Sequence, residues 1–452
     1  MANTVLIISD EHNPFYSSVY GHPFVKTPNM ERLARNGTLF RNAYCPSPLC
    51  LPSRSAFLAG RRVHDIQCYS NCNINLRHDF TSYGAAMDEQ GVHSTYIGKT
   101  DVYDDGENLG FTEMIYPENR DIPGDVNFNR RPLSIRADGA RRASAYGPRE
   151  KGEYIKDLKM VDTAIEWIST KSLSLTEPWV LTVNVLNPHF PQYCTQELWD
   201  MYPEGENLPE YGPGCESANH PYARDLRDHF QTDFFSEEQV KGIRRGYLAC
   251  ITFVDQQIGR VIEALEKAGI IDSTNIIYTS DHGDMMGKFG MWWKCSLYED
   301  SVRIPCIASG PDFKKGNIVN TPVDLLDVQA SLFKATGAKR PEGWTGKPLQ
   351  DIPEDDKERV VFSEYHGHGT RSGAYMIRKG DWKLVYYMEA PHQLFNLIED
   401  PDELRNVYGE FPEKAAELEK ELRSICSPEE ENEKAHLFQD EQLKMIQQTR
   451  CN

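Results

Sequence analysis

Two pairs of charged side chains stand at matching places in the chain. Asp10-Glu11 closes the short β-branched run from Thr4 to Ser9, and Asp281-His282 closes a similar run from Asn275 to Ser280. Each run reads as a buried strand, so each pair is delivered at a strand's carboxyl end. One carboxylate in such a place is more often a helix cap or a surface charge than a ligand. Two pairs at two strand ends of one chain are better explained as ligands that converge on one point. Between them lies Cys50-Leu51-Pro52-Ser53-Arg54, a thiol close to a guanidinium; taken bare, it is a loop cysteine ahead of a helix. Lys99 after Ile97-Gly98, His189 between Pro188 and Phe190, and Lys294 after Trp292-Trp293 are further groups able to offset or move charge.

These groups need a scaffold that brings distant strand ends together. Further short apolar runs occur at Val180 to Val185 and Ile304 to Ala308, and helical patterns lie between the runs. The clearest places Ile251, Val254, Ile258, Val261, Ile262 and Leu265 on one face and stops at Gly269. Strands alternating with helices predict an α/β sheet, largely parallel. Ligands of such sheets bind beyond the carboxyl ends of the strands, the edge that receives Asp10 and Asp281. A polar segment with Gly and Pro, from about Thr345 to Asp356, is the expected boundary between a catalytic domain over 1–350 and a C-terminal subdomain over 351–452. In the subdomain, Tyr375 to Arg378 and Trp382 to Tyr387 flank a Lys379-Gly380-Asp381 turn and predict an antiparallel hairpin. Glu410 to Leu422 reads as an acidic amphipathic helix. The stretch from about Gly106 to Tyr154, rich in Arg, Asp, Gly and Pro, is expected to form irregular loops near the mouth of the site.

Composition narrows the partners. With 452 residues, 39% of them hydrophobic, the chain can bury a large core. A formal charge of −19 argues against a nucleic-acid partner, since no basic stripe exists to neutralise phosphates. An anionic substrate must be drawn in locally, against the general field. No apolar run approaches the roughly 20 residues of a membrane-spanning helix, and Met1-Ala2-Asn3-Thr4 has neither a basic leader region nor a cleavage site. The expectation is a soluble, cytoplasmic protein with no membrane partner. The 11 cysteines are odd in number and scattered, with Cys68 and Cys72 a close pair, which suggests neither a disulfide framework nor a zinc knuckle. Most are expected to be reduced, buried thiols.

The segment Pro48-Leu49-Cys50-Leu51-Pro52-Ser53-Arg54, continuing to Gly60-Arg61, resembles the signature of the sulfatase family. In that family the cysteine of Cys-x-Pro-Ser-Arg is oxidised after translation to formylglycine. Asp10-Glu11 resembles the family's first metal pair, and Asp281-His282-Gly283 resembles the second in its Asp-His version. Lys294 looks like the lysine that contacts the sulfate oxygens and the leaving group; Lys99 and His189 resemble two further substrate-contacting positions. The resemblance implies an α/β, alkaline-phosphatase-like sandwich: a large mixed, mostly parallel sheet flanked by helices, plus a smaller C-terminal antiparallel sheet. It implies one divalent metal held by Asp10, Glu11, Cys50, Asp281 and His282, with Ca2+ favoured and Mg2+ or Mn2+ compatible with the same donors. It also implies formylglycine at Cys50, a formylglycine-generating maturation enzyme as partner, and a small-molecule sulfate ester as substrate; a homo-oligomer is left open.

The implied chemistry is hydrolysis of that ester to alcohol and inorganic sulfate. A sulfate monoester carries negative charge that repels an attacking oxygen, so a divalent cation with Lys and Arg must offset it. Hydrated formylglycine offers a geminal diol; one hydroxyl, ionised by the metal and Arg54, attacks sulfur while His189 and Lys294 help the alcohol leave. The second hydroxyl then loses its proton, the aldehyde re-forms and sulfate departs. Arg54, Lys99 and Lys294 are the only cations that the motif matches place near the nucleophile. One position departs from the family: a histidine is common two places after the lysine of the Gly-Lys motif, and here that place is Asp101. Either Asp101 serves as the base, or His64, His366 or His368 replaces the histidine. Two alternatives share these residues: a phosphonate monoester or phosphate diester hydrolase of the same superfamily, and a non-enzymatic relative with unmodified Cys50.

Overall fold

The apolar runs pair side by side in the computed structural model, which describes residues 1–72, 80–103, 109–120 and 129–451. Eight strands form the central sheet: β1 (Asn3–Asp10), β2 (Gly37–Phe40), β3 (His93–Tyr103), β4 (Glu113–Arg120), β5 (Trp179–Pro188), β6 (Thr274–Ser280), β7 (Cys306–Ser309) and β8 (Asn317–Val319). Their order is β8-β2-β7-β6-β1-β5-β3-β4. From β6 to β4 every pairing is parallel, with Val5 opposite both Ile276 and Leu181. Only β7 runs antiparallel to both of its neighbours. Five parallel strands therefore end at one edge.

β1 is buried from Thr4 to Asp10 because both faces are covered. Leu6 and Ile8 enter one core, Val5 and Ile7 the other. On the second face lie the helices Glu153–Ser169, through Val161, Ala164 and Ile168, and Glu237–Lys267, through Val254, Ile258, Val261 and Leu265. The long helix starts on a capping box in which the Ser236 hydroxyl accepts from the Gln239 N–H at 3.2 Å and the Ser236 N–H donates to Gln239 Oε1 at 2.9 Å. The first face carries the helices Cys50–Ala59 and Leu325–Thr336, through Phe57, Leu58, Val328 and Leu332.

A second, four-stranded antiparallel sheet follows: β9 (Val360–Tyr365), β10 (Ala374–Lys379), β11 (Trp382–Tyr387) and β12 (Gln393–Asn396), in chain order. One face packs Phe362, Tyr375 and Leu384 against Leu418 and Leu422 of the helix Pro412–Ile425, and the other gives Met376, Val385 and Phe395 to the main core. The expected hairpin turns where Lys379 faces Trp382 and Gly380 takes φ 57°. Both sheets and their flanking helices match the expected architecture.

Two local expectations are corrected, and one helix is added. The run Ile304 to Ala308 is not one strand: Arg303–Ile304 pairs with Ala43–Tyr44, and only β7 joins the central sheet. Pro305 has no N–H to donate and separates them. The stretch from Gly106 to Tyr154 is not irregular throughout, since it holds the edge strand β4, the short helix Gly139–Ala143 and the strand Tyr146–Pro148; 106–108 and 121–128 lie outside the described residues. An edge tolerates Pro117 and charged neighbours that a central strand would not. The last helix, Pro428–Cys451, was not foreseen, because the face it buries mixes Ala435 and Ile446 with Glu431, Gln439 and Gln442. Among the described residues no helix is long and apolar enough to cross a membrane. Ten cysteines there are free thiols, eight of them buried.

Candidate active site

The order β6-β1-β5-β3 sets four strands in a row; Asp281, Asp10 and His189 lie at the ends of the first three, and Lys99 lies within β3, two residues past its last pairing with β5 at Ile97. Glycine at position 98 makes one of these placements fit. Its φ is +90°, and a Cβ there would lie 2.6 Å from the Asn184 carbonyl oxygen on β5. The pairing of β3 with β4 shifts between Ile97 and Lys99, at that glycine, and the Lys99 ammonium forms an ion pair with Asp10.

Cys50 is the first residue of its helix, whose ten residues are all buried. Leu49 ahead of it is extended and gives no side-chain cap; the Leu51 N–H is met instead by Asn71 Oδ1 at 3.1 Å, and the positive end of the helix lies at the thiol. Pro52 is tolerated in the first turn, where no N–H is needed. The helix ends at Gly60 with φ 59°, where the Arg61 N–H donates to the Ala56 carbonyl at 3.2 Å in a Schellman closure. The Ser53 hydroxyl donates to the Asp281 carbonyl at 2.6 Å and ties the helix start to the end of β6.

Around the Cys50 sulfur stand Lys294 Nζ at 3.0 Å, His282 Nε2 at 3.2 Å and Asp10 Oδ1 at 4.0 Å. Arg54 donates from Nε to Asp281 Oδ2 at 2.8 Å and from Nη1 to Asn184 Oδ1 at 2.9 Å. Lys294 Nζ also reaches Glu11 Oε2 at 3.2 Å, and His189 Nε2 lies 3.3 Å from the same oxygen. Burial alone would raise the Cys50 thiol, but the ammonium groups of Lys294 and Lys99 overcome it and hold it at about 6. Burial and the Lys294 charge push His189 well below the usual imidazole range. Burial raises Glu11 well above the carboxylate range, only partly offset by Lys294. Asp10 goes the other way, because Lys99, His189 and Arg54 outweigh its burial.

The donor set fits a divalent cation. Asp10, Cys50, Asp281 and His282 are fully buried and offer ligand atoms within 4.8 Å of one another; Asp10, Glu11 and His189 form a second such group. Glu11 Oε1 is buried with no hydrogen-bond partner, a cost that a bound cation would remove. Oxygen donors with one imidazole suit Ca2+, Mg2+ or Mn2+.

Asp101, with φ 58°, accepts from Arg120 Nη2 at 2.9 Å and lies 3.8 Å from Lys99 Nζ. These two cations outweigh its burial and keep its carboxyl below the usual range. Of the three histidines considered as replacements, only His368 lines the pocket above Cys50. His64 and His366 instead clamp Glu364, at 2.7 Å and 2.9 Å. The pocket, of about 230 Å³, corrects the sequence count of cations: Arg120, Arg136 and Arg142 line it beside Lys99 and Lys294. Their only sequence signal was the Arg content of a stretch read as loop. Asn184, which holds Arg54, was hidden inside an apolar strand run.

Comparison with known proteins identifies the chain's relatives. The profile of the family described as Sulfatase matches residues 2–338, and that described as N-sulphoglucosamine sulphohydrolase, C-terminal, matches residues 287–430. Arylsulfatase K of Danio rerio is 30% identical over 98% of this chain and 87% of its own length. A choline-sulfatase of Rhizobium meliloti (strain 1021) is 29% identical over 90% of this chain and 82% of its own length. Among solved structures, a phosphonate monoester hydrolase of Agrobacterium radiobacter superposes with a TM-score of 0.77 at 22% identity, covering 94% of this chain and 95% of that one. A protein in complex with its substrate D-glucosamine-2-N,6-O-disulfate superposes with a TM-score of 0.74 at 20% identity, covering 94% of this chain and 97% of that one. At those identities the two superpositions speak for the fold alone.

Proposed function

The chain belongs to the sulfatase family and is a sulfuric ester hydrolase, and on that footing we propose that Cys50, matured to formylglycine, is its nucleophile beside one divalent metal. The observation that carries this is the placing of Cys50 at a helix start, with Lys294 and His282 at 3.0 Å and 3.2 Å from its sulfur. Asp10, Glu11, Asp281, His282 and residue 50 are the proposed metal ligands, with Ca2+ favoured. When bound, the cation offsets the sulfate's charge and favours an ionised hydroxyl at position 50. Formylglycine there supplies a hydrated aldehyde that can attack sulfur and later release sulfate.

The remaining roles fall to this chain's own side chains. Arg54 is already committed to Asp281 and Asn184, so it braces the ligand carboxylate and the strand ends. Lys99 and Lys294 flank residue 50 and are placed to hold sulfate oxygens, where a preorganised charge acts without rearrangement. Lys294, which Glu11 and Asp10 help to keep charged against its burial, stands within 3.0 Å of the residue 50 side chain and is placed to meet the charge that grows on the leaving oxygen. His189 donates its Nδ1–H to the Phe190 carbonyl at 2.6 Å, which fixes the ring with Nε2 facing the site as an acceptor; the imidazole must first gain a proton there before it can share that task. Asp101, ion-paired on both sides, positions Lys99 rather than acting as a base. His368 is then the candidate imidazole for the later steps. Residues 1–350 serve as the catalytic domain and residues 351–452 as a subdomain closing its core. The free thiols support a reducing compartment such as the cytoplasm.

The experiment compares sulfate monoesters with phosphonate monoesters that share leaving groups, using the matured protein. A higher kcat/KM for the sulfates across the series is expected; the reverse order would favour the phosphonate or diester hydrolase.

A further inference from the structure

The helix that begins at Cys50 has no cap of its own. Leu49 stands where Ser, Thr, Asn or Asp ordinarily accepts the second N–H of a helix, and it is apolar and extended. That N–H belongs to Leu51, and its acceptor, Asn71 Oδ1, lies 20 residues further along the chain. Asn71 is buried and lines the pocket beside Cys50. The same segment meets Leu51 again through Cys68, whose sulfur lies 3.9 Å from the Leu51 carbonyl oxygen and whose side chain packs on that of Leu51. The segment Cys68 to Cys72 is in turn held from outside. The Tyr69 hydroxyl donates to Glu431 Oε2 at 3.2 Å, and its ring meets Phe438 edge-on at 5.7 Å. Tyr69 also packs between Ala56 of the Cys50 helix and Ala435, while Cys72 packs on Ile446. Glu431, Ala435, Phe438 and Ile446 all belong to the last helix, Pro428–Cys451. The face that this helix buries therefore presses the segment onto the first turn of the Cys50 helix.

We propose that Asn71 is a positioning residue of the active site: it caps the Cys50 helix in place of an N-cap side chain and, braced by the terminal helix, holds residue 50 against Lys294 and His282. Residue 50 is the first residue of the capped helix, whereas Lys294 and His282, at 3.0 Å and 3.2 Å from its sulfur, stand on other segments. A first turn that frays moves the attacking group relative to charges that stay fixed, and a small displacement of that kind is costly in rate. This rests on the reading of residue 50 as the nucleophile.

The test uses the matured full chain with an aryl sulfate, and rates are taken per aldehyde at position 50, counted by peptide mass spectrometry. Asn71→Ala is expected to lower kcat about tenfold or more while KM stays within about threefold. Hydrogen exchange of the Leu51 amide should quicken about tenfold in the same variant. Asn71→Asp keeps an acceptor of equal capping strength, so kcat and exchange should return to within about threefold of wild type. Its KM should rise, because a new carboxylate then lines the pocket of an anionic ester. Tyr69→Phe removes only the bond to Glu431 and should move kcat and exchange in the same direction as Asn71→Ala, by about two- to threefold. Leu437→Ala, at an exposed position of the same helix, should move neither. Wild-type kcat in Asn71→Ala, or an Asn71→Asp that falls as far as the alanine variant, overturns the proposal. Unchanged kcat and exchange in Tyr69→Phe overturn the brace. Should wild type turn over no sulfate ester, the nucleophile reading fails on its own account. Exchange at Leu51 in Asn71→Ala then still decides the cap: quicker exchange supports it, and unchanged exchange overturns it.

Discussion

Two clusters of buried charge lie in this molecule, one at the carboxyl edge of the central sheet and one where the small sheet docks on it, and they follow opposite rules. In the second, Lys383 on β11 sits 2.9 Å from Glu299 and 2.7 Å from Glu403. Glu299 also accepts from the Tyr44 hydroxyl at 2.9 Å and has Arg303 and Arg378 at 3.5 Å and 3.6 Å, while its N–H donates to Glu403 at 2.7 Å. The charges close on one another. In the first cluster, Glu11 keeps an unpartnered oxygen and two carboxylates and an imidazole converge with one thiol, while Glu11, Asp101, Trp293 and Cys295 are held at positive φ. Such strain persists only where the surrounding fold enforces it. The contrast separates a cluster that ties two sheets together from one proposed to receive a cation and an anion; three substitutions can break or sharpen it, and a fourth tests a buried ion pair outside both.

The largest effect is expected at Cys50. Cys50→Ala should lower kcat/KM by more than about 10⁴-fold, as loss of a nucleophile does. Its unfolding free energy should move by only about 1 kcal/mol. Retained turnover, or a collapse of stability, would erase the distinction between the clusters. Next comes Lys383→Met, which strands Glu299 and Glu403 and should cost about 3–5 kcal/mol in chemical denaturation. Specific activity of the folded fraction should stay near wild type. Unchanged stability would show that the second cluster holds nothing.

Glu11→Gln is the intermediate case. It keeps the shape of the side chain and removes a carboxylate whose burial is poorly compensated. Metal content by elemental analysis should fall, with kcat/KM down about 10–100-fold, while the metal-free protein unfolds no more easily than wild type. A variant that keeps its metal and rate, or loses stability as Lys383→Met does, would contradict this.

The smallest effect concerns pH. Burial would lower His64, but the Glu364 carboxylate at 2.7 Å holds its proton and raises it above the ordinary 6.5. The folded state thus binds that proton more tightly than the unfolded chain. The stability it adds is complete below about pH 6.5 and is lost as pH climbs through the raised value. Relative to wild type, His64→Gln should show a Tm that falls less between pH 6 and pH 8, by an amount worth about 1 kcal/mol or less. Parallel pH curves would remove His64 from the account.

How much of this was legible beforehand differs between the two regions for a physical reason. Asp10 and Asp281 could be placed because a buried parallel strand is a continuous apolar run and its end is abrupt. Cys50, Arg54 and Lys294 stood in motifs with local spacing. The carboxyl edge could be read because its groups are tied to strand ends. Arg120, Arg136 and Arg142 were not placed, since an edge strand containing Pro117 and a short helix give no periodic signal. Lys383, Glu299 and Glu403 come from three separate elements, and nothing local distinguishes a lysine buried against two glutamates from a surface lysine. Pro305 could have warned that its run was two strands, since proline cannot sustain a central pairing. The terminal helix escaped notice because glutamines share the face that it buries.

The central claim is that residue 50 works as an aldehyde and not as a thiol. The most direct measurement follows the peptide from Asn42 to Arg54 by mass spectrometry across preparations matured to different extents, alongside sulfate-ester turnover of the same samples. Turnover should rise in proportion to the aldehyde fraction at position 50 and pass through zero when that fraction is zero. Full turnover from protein whose residue 50 is entirely thiol would contradict the account.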